Sequence, residues 1–188
     1  SQFFKKKFFN IVFAGNIGEA QSFNTIIDAI ALLKNLPVKI IVLGSGRYKE
    51  TALDLIKRNG LESHFNFLGS FQSKEMPKFF SHADALLVSL KKSKIFSLTI
   101  PAKIQSYLAC GKPIIASLDG EGARIIEEAK CGVVSNAENS IFLSEKIKEL
   151  MNIDESELHE MGINARKYYE KEFDRTSLLE KLEVILKS

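Results

Sequence analysis

The chain has 188 residues, 45% hydrophobic and 26% charged, which suits one globular domain with a substantial core. Its 26 basic and 23 acidic residues leave a formal charge of +3, too small an excess to point to nucleic acid. Two cysteines, Cys110 and Cys131, cannot build a disulfide framework and read as buried reduced thiols of a cytoplasmic protein; no apolar run is long enough to span a bilayer.

The opening, Ser1 to Phe9, mixes lysine with phenylalanine but has no long apolar stretch and no small-residue cleavage site, so it does not read as a signal peptide. It reads as an interdomain linker or the start of a strand, with residues 10–188 as the domain. A chain that begins without Met, almost directly on a strand, reads as a domain cut from a longer protein. Asn10–Ala14 is the first predicted strand. Phe23, Ile26, Ile27, Ile30 and Leu33 then recur on one helical face. Lys39–Leu43 is the second strand, followed by a helix over roughly Lys49–Asn59 that Gly60 terminates. Phe65–Leu68 is the third strand, a short helix spans about Lys74–Ser81, and Ala85–Val88 is the fourth strand. Pro101 suits the first turn of a helix whose face is Ile104, Tyr107 and Leu108, and Gly111 and Pro113 stop it. Pro113–Ala116 and Gly132–Val134 are the last strands. Three helices follow, marked by Ile141, Ile147 and Leu150, by Leu158, Met161, Ala165 and Tyr168, and by Leu178, Leu182 and Ile185. Continuous apolar strands alternating with helices imply an α/β fold, a parallel sheet of about six strands with helices on both faces.

Glycines cluster just after the strands: Gly15 and Gly18, Gly44 and Gly46, Gly69, then Gly120 and Gly122. In an open parallel sheet these turns share the carboxyl edge, where ligands bind and helix N-termini offer free N–H groups to phosphate. Any one such glycine is equally explained by the turn itself; the set favours a nucleotide or phosphate. Gly44-Ser45-Gly46 lacks the third glycine of a dinucleotide fingerprint, and no P-loop lysine is present.

An ordered series of segments carries a more specific signal: Ala14-Gly15-Asn16-Ile17-Gly18, Val42-Leu43-Gly44-Ser45-Gly46, Phe67-Leu68-Gly69-Ser70-Phe71, His82-Ala83-Asp84-Ala85, and Pro101-Ala102-Lys103 through Ala109-Cys110-Gly111-Lys112-Pro113. The series resembles the C-terminal domain of glycosyltransferase family 4 (glycosyl transferases group 1), retaining enzymes of GT-B fold. It is similar to bacterial surface-polysaccharide transferases of the fucosamine transferase type. The resemblance implies a Rossmann-like domain, the C-terminal half of a GT-B fold, that binds a nucleotide diphosphate sugar, a UDP-sugar by family tendency. The hexosyl group would pass to a saccharide or lipid-linked acceptor in polysaccharide, O-antigen or capsule synthesis. The acceptor-binding N-terminal domain would be missing, so this chain alone would be inactive. A lipid-linked acceptor would bring the full-length protein to the inner face of the cytoplasmic membrane. No cofactor and no metal are expected.

The same resemblance implies that the Gly15 turn approaches the donor's phosphates, that the helix from Pro101 points its N–H groups at them, and that the segments after Gly44 and Gly69 line the nucleoside pocket. The positions where family members place a basic pair are here Asn16 and Gln21. Those of the paired glutamates are Leu98 and Ser106, leaving Ser106 a hydroxyl to offer. The usual glycine-rich turn is replaced by Asp119-Gly120-Glu121-Gly122-Ala123-Arg124.

A departing diphosphate needs positive charge. Lys94, Lys103 and Arg124 are the candidates, each equally readable as a surface charge, Arg124 as a partner of Glu121 or Glu128. Asp119 and Glu121 read either as contacts to sugar hydroxyls or as turn and cap residues. Gln21 reads as a sugar or phosphate contact or as part of the entrance to the first helix. His64, His82 and His159 lack metal-ligand spacing. Two rival readings remain: a catalytically inactive nucleotide- or phosphate-binding module, and a GT-B-like sugar-nucleotide epimerase.

Overall fold

The computed structural model describes residues 3–4 and 7–187. Residues 1–2 and 5–6 of the lysine–phenylalanine opening lie outside the described residues, as do Ser188 and the side chains of residues 175–177, 180 and 181. Six strands, β1 (Phe9–Ala14), β2 (Val38–Leu43), β3 (Phe65–Gly69), β4 (Ala85–Ser89), β5 (Ile114–Ser117) and β6 (Gly132–Ser135), form one sheet in the order β3-β2-β1-β4-β5-β6. Every pairing is parallel. This is the doubly wound Rossmann order, whose winding reverses between β1 and β4.

The helices are α1 (Phe23–Leu32), α2 (Lys49–Arg58), α3 (Met76–Phe80), α4 (Lys94–Ser97), α5 (Ala102–Cys110), α6 (Glu121–Glu128), α7 (Ser140–Asn152), α8 (Glu155–Glu172) and α9 (Arg175–Lys187). Alternate strand residues feed opposite faces, as the pleat requires. Ile11, Phe13, Ile40, Val42, Ala85 and Leu87 pack with α1 and α7 in one core. Val12, Ala14, Ile41, Leu43, Leu86 and Val88 pack with α5 and α6 in the other. Each fully buried Ile or Leu contributes roughly 1.5–3 kcal/mol, so burial on both faces makes the strands continuous in apolarity rather than alternating.

The elements read from the sequence are present, most with boundaries moved by a residue or two. Two differ in kind. The stretch around Lys91, Lys92 and Lys94, to which the sequence assigns no helix, runs into the one-turn helix α4, too short to show a helical period. The expected helix over Lys74–Ser81 is a tight 3-10 turn, Ser73–Glu75, running into α3. Pro77, in its first turn, has no N–H to bond backwards, so the helix begins around it. Pro101 is the N-cap of α5, extended at φ −59° and ψ 130°, and helical geometry starts at Ala102.

At the reversal point β1 and β4 pair only from Ile11 to Phe13, opposite Ala85 to Leu87. Beyond that register the side chain of Tyr107, from α5, enters between them. Its hydroxyl accepts from Ala14 N at 3.1 Å and donates to Leu87 O at 3.3 Å. The phenol is 1% exposed, so both backbone groups would otherwise be buried without partners. Burial, the largest influence, pushes its pKa well above the ordinary tyrosine value, and the proton stays in place to make the bridge. Tyr107→Phe leaves an N–H and a C=O unsatisfied while changing almost no volume. It should destabilise the domain by about 1–3 kcal/mol in urea unfolding, whereas the same change at half-buried Tyr169, which packs against the core through its ring, should cost less than about 0.5 kcal/mol.

Candidate functional site

The carboxyl ends of β1, β2 and β3 are drawn together by main-chain bonds: Gly15 N donates to Leu43 O at 2.8 Å, and Gly44 N donates to Gly69 O at 2.7 Å. At Gly44, φ is +152° and an added Cβ would lie 1.9 Å from Gly15 O, so glycine is what lets the first two turns touch. Beside these turns, between α3, α5 and the end of α8, lies a groove of about 670 Å³. Gly15, Met76 and Pro77, Lys103 and Ser106, and Tyr169 with Phe173 line it. A depression of about 190 Å³ shares Gly15 and Met76 with the groove and extends it over Gly44, Ser45, Ser70 and Phe71.

Lys103 rises from the first turn of α5 into the space that the missing Gly15 side chain leaves. An ideal Cβ at Gly15 would meet its Cε and Nζ, both at 3.2 Å. The ammonium ends 4.1 Å from the centroid of the Phe13 ring. Phe13 belongs to the opposite core from α5, so the lysine crosses the crest of the sheet between β1 and β4. Burial pushes its pKa down to about 8, and no neighbouring charge contributes. Ser89, at the end of β4, is fully buried and its Oγ has no hydrogen-bond partner. It stands two residues beyond Leu87, hence on the Phe13 face, and pairs in register with Ser117 of β5.

The structure therefore brings Gly15, Lys103 and Ser106 into one groove, with Asn16 and Gly44 on its extension. Ser106 is exposed and donates back to Ala102 O at 3.2 Å. Pro101 caps α5 from below Gly122, with its Cδ 3.4 Å from the place of a Cβ there. Gly18, Gln21 and Gly46 border a separate depression together with Asn16 and Arg47. Gln21 Oε1 accepts from Gly18 N at 3.2 Å, which ties it to its own turn. Gly69 serves through its carbonyl, as described.

The turn after β5 is occupied differently. At Gly120 a Cβ would lie 2.0 Å from Ser97 O, and at Gly122 it would meet Ile104 and Leu118. Both glycines thus admit protein backbone and core. Asp119 Oδ1 accepts from Ala137 N at 3.1 Å and fixes the loop after β6. Arg124 bonds Glu121 at 3.0 Å and also pairs with Glu128, so its guanidinium is engaged on its own helix. Of the basic loop residues, Lys91 pairs with Glu19 at 3.4 Å and Lys94 is exposed on α4. Ser89 and the groove walls Met76, Pro77, Tyr169 and Phe173 escaped sequence reasoning. Only Ser89 carried a signal, as a polar residue closing an apolar strand.

The family of glycosyl transferases group 1 matches residues 1–168. The chain belongs to this family. This glycosyltransferase domain is 29% identical over 151 residues to the probable glycosyltransferase WbjE of Pseudomonas aeruginosa, covering 78% of this chain and 36% of that protein. It is 25% identical over 160 residues to the uncharacterized glycosyltransferase MJ1178 of Methanocaldococcus jannaschii, covering 85% of this chain and 43% of that protein. Its fold is similar to that of Anabaena Alr3699/HepE, solved in complex with UDP and glucose, with a TM-score of 0.82 at 20% identity over 97% of this chain and 49% of that one. The glycosyltransferase domain spans less than half the length of these relatives. Its architecture is that of a GT-B C-terminal domain.

The buried amine of this domain has a thermodynamic signature. An unfolded lysine titrates at 10.5 and the folded one at about 8, so above about pH 8 the unfolded chain holds the extra proton. Stability then rises with pH from about 7.5 to 9. From about pH 9 upward the rise levels off, because burial holds the thiol proton of Cys131 up to about 12 while the unfolded thiol loses it, which opposes the lysine. Urea unfolding at stepped pH should show that rise, and Lys103→Met should flatten it while raising stability at pH 7.

Proposed function

We propose that this chain is the donor-binding half of a glycosyltransferase that moves a hexosyl group from a nucleotide diphosphate sugar to a saccharide or lipid-linked acceptor. The observation that carries this reading is the convergence at the β1/β4 reversal of the Gly15 turn, the N-terminus of α5 and the groove. A parallel sheet binds ligands at this place, and a helix N-terminus there favours phosphate. The groove is apolar along Met76, Pro77 and Phe80 and polar at its Lys103 end, which suits a nucleoside with its diphosphate toward the crest. Its volume of about 670 Å³ falls in the range of small-molecule sites. UDP is the favoured nucleotide, supported by the UDP-bound fold relative.

The leaving diphosphate is stabilised by N–H groups and fixed charge rather than by a metal. Among the described residues no group of three or more His, Cys, Asp or Glu side chains could hold a metal ion. The acceptor site and the remaining catalytic groups belong to an N-terminal domain, without which this half does not turn over. Exposed Leu182, Val184 and Leu186 of α9 support a contact with that domain. Among the described residues no helix is long and apolar enough to cross a membrane. Work on a lipid-linked acceptor in surface-polysaccharide synthesis would place the full-length enzyme peripherally at the inner membrane face. Retention of anomeric configuration is part of this reading, and membership of the family supports it.

Isothermal titration of the 188-residue chain with UDP, GDP and UDP-hexoses tests this reading. UDP should bind with the same affinity with and without EDTA. Failure of every nucleotide to bind, or loss of binding in EDTA, would overturn it.

A further inference from the structure

Resting on the donor-site reading, a sharper question is which group meets the charge of the diphosphate. Arg124 is engaged by Glu121 and Glu128, Lys91 by Glu19, and Lys94 stands in water on α4. Asn16 and Gln21, in the loop after β1, carry no charge, and Gln21 is turned onto its own backbone. Lys103 differs in three ways. It lies in the groove at the β1/β4 crest, desolvated, with the Phe13 ring face as its contact and no carboxylate paired to it among the described residues. Glycine at position 15 leaves it room. A second polar side chain without a partner, Ser89, is buried on the same face of the same crest.

A partly buried ammonium without a carboxylate faces the groove, close to a buried hydroxyl without a partner, and an anion seated in the groove would complete the ammonium. We propose that Lys103, reaching across the crest from α5, is the cation that neutralises the donor's phosphates, in place of any cation in the loop after β1. An ammonium that is desolvated before the ligand arrives has little water to shed, so its attraction for phosphate is strong relative to a surface lysine.

One consequence is that donor binding depends on the charge of a single amine. The other titratable groups lining the groove are Tyr107 and Cys110 of α5 and Tyr169 of α8; β1 and α3 present none to it. Burial raises the pKa of Tyr107 and of Cys110. The charged groups on the flanking turns, Glu19 with Lys91 and Arg124 with Glu121 and Glu128, are already paired. Affinity for an anion should therefore be full below about pH 8 and fall above it as Lys103 loses its proton.

The test is an amide NMR titration of the chain with UDP and, separately, uridine. For the native chain, UDP affinity should weaken about tenfold from pH 7 to pH 9, the factor for an amine titrating at about 8. Uridine affinity should not change; UDP's terminal phosphate only gains charge over this range, so it cannot cause a weakening. Lys103→Met should weaken UDP binding at pH 7 by about tenfold or more and leave uridine binding intact. Lys103→Arg should keep UDP binding and abolish its pH dependence. A Lys103→Met variant that binds UDP like the native chain overturns the proposal and leaves the donor site standing. One that loses UDP and uridine equally shows that Lys103 shapes the groove rather than meets charge, and also overturns it. A native chain in which neither ligand shifts Gly15 or Lys103 removes the donor-site reading itself.

Discussion

The structure turns on the parting of β1 from β4. A parallel sheet that winds outward in two directions from its centre cannot carry its crossover helices over the reversal point, so a crevice opens there. The two strands cease to pair after Phe13 and Leu87, and the Tyr107 hydroxyl stands between the freed main-chain groups. That single bridge lets the strands diverge without leaving polar backbone unsatisfied in the core. It also pins α5 against the crest. Because Lys103 sits one helical turn before Tyr107, the bridge that holds the strands also sets where the ammonium reaches.

The Lys103 end of the groove works against the stability of the fold that carries it. An ammonium partly withdrawn from water, over a ring and without a carboxylate, lowers the stability of the unliganded domain. A surface ion pair such as that of Arg124 with Glu121 and Glu128 is the opposite case, satisfied and nearly neutral in its effect. Groups that the protein has already paired have little to offer a ligand. Groups left unpaired at a place where the fold opens are the ones with interaction energy in reserve.

Much of the architecture was legible because burial on both faces writes long apolar strands and helical stripes directly into the chain. Phe23, Ile26, Ile27, Ile30 and Leu33 fell where their spacing put them, all within the core. The glycine turns were legible as a set, but not their individual purposes. Gly44 admits the neighbouring turn, Gly15 admits a lysine side chain, and Gly120 admits the backbone of Ser97. These are tertiary neighbours that no local pattern announces. Likewise Arg124 and Lys103 were equal candidates by residue type and by position near a helix start. Only the fold shows that one is paired on its own helix and the other is half-buried over the Phe13 ring. α4 was missed for a simpler reason: a single turn has no period to detect. The family resemblance reached the fold. The residues that differ from the family pattern, Asn16, Gln21, Leu98 and Ser106, needed the structure before their consequences could be read.

The most direct measurement of the central claim is a crystal structure of the chain with UDP bound. The account predicts the diphosphate at the β1/β4 crest, within hydrogen-bonding reach of Lys103 Nζ and the first N–H groups of α5, with the base lying toward Met76 and Pro77. A diphosphate seated on the turn from Asp119 to Arg124, or on the Gln21 side of the first loop with Lys103 still unpaired, would contradict it.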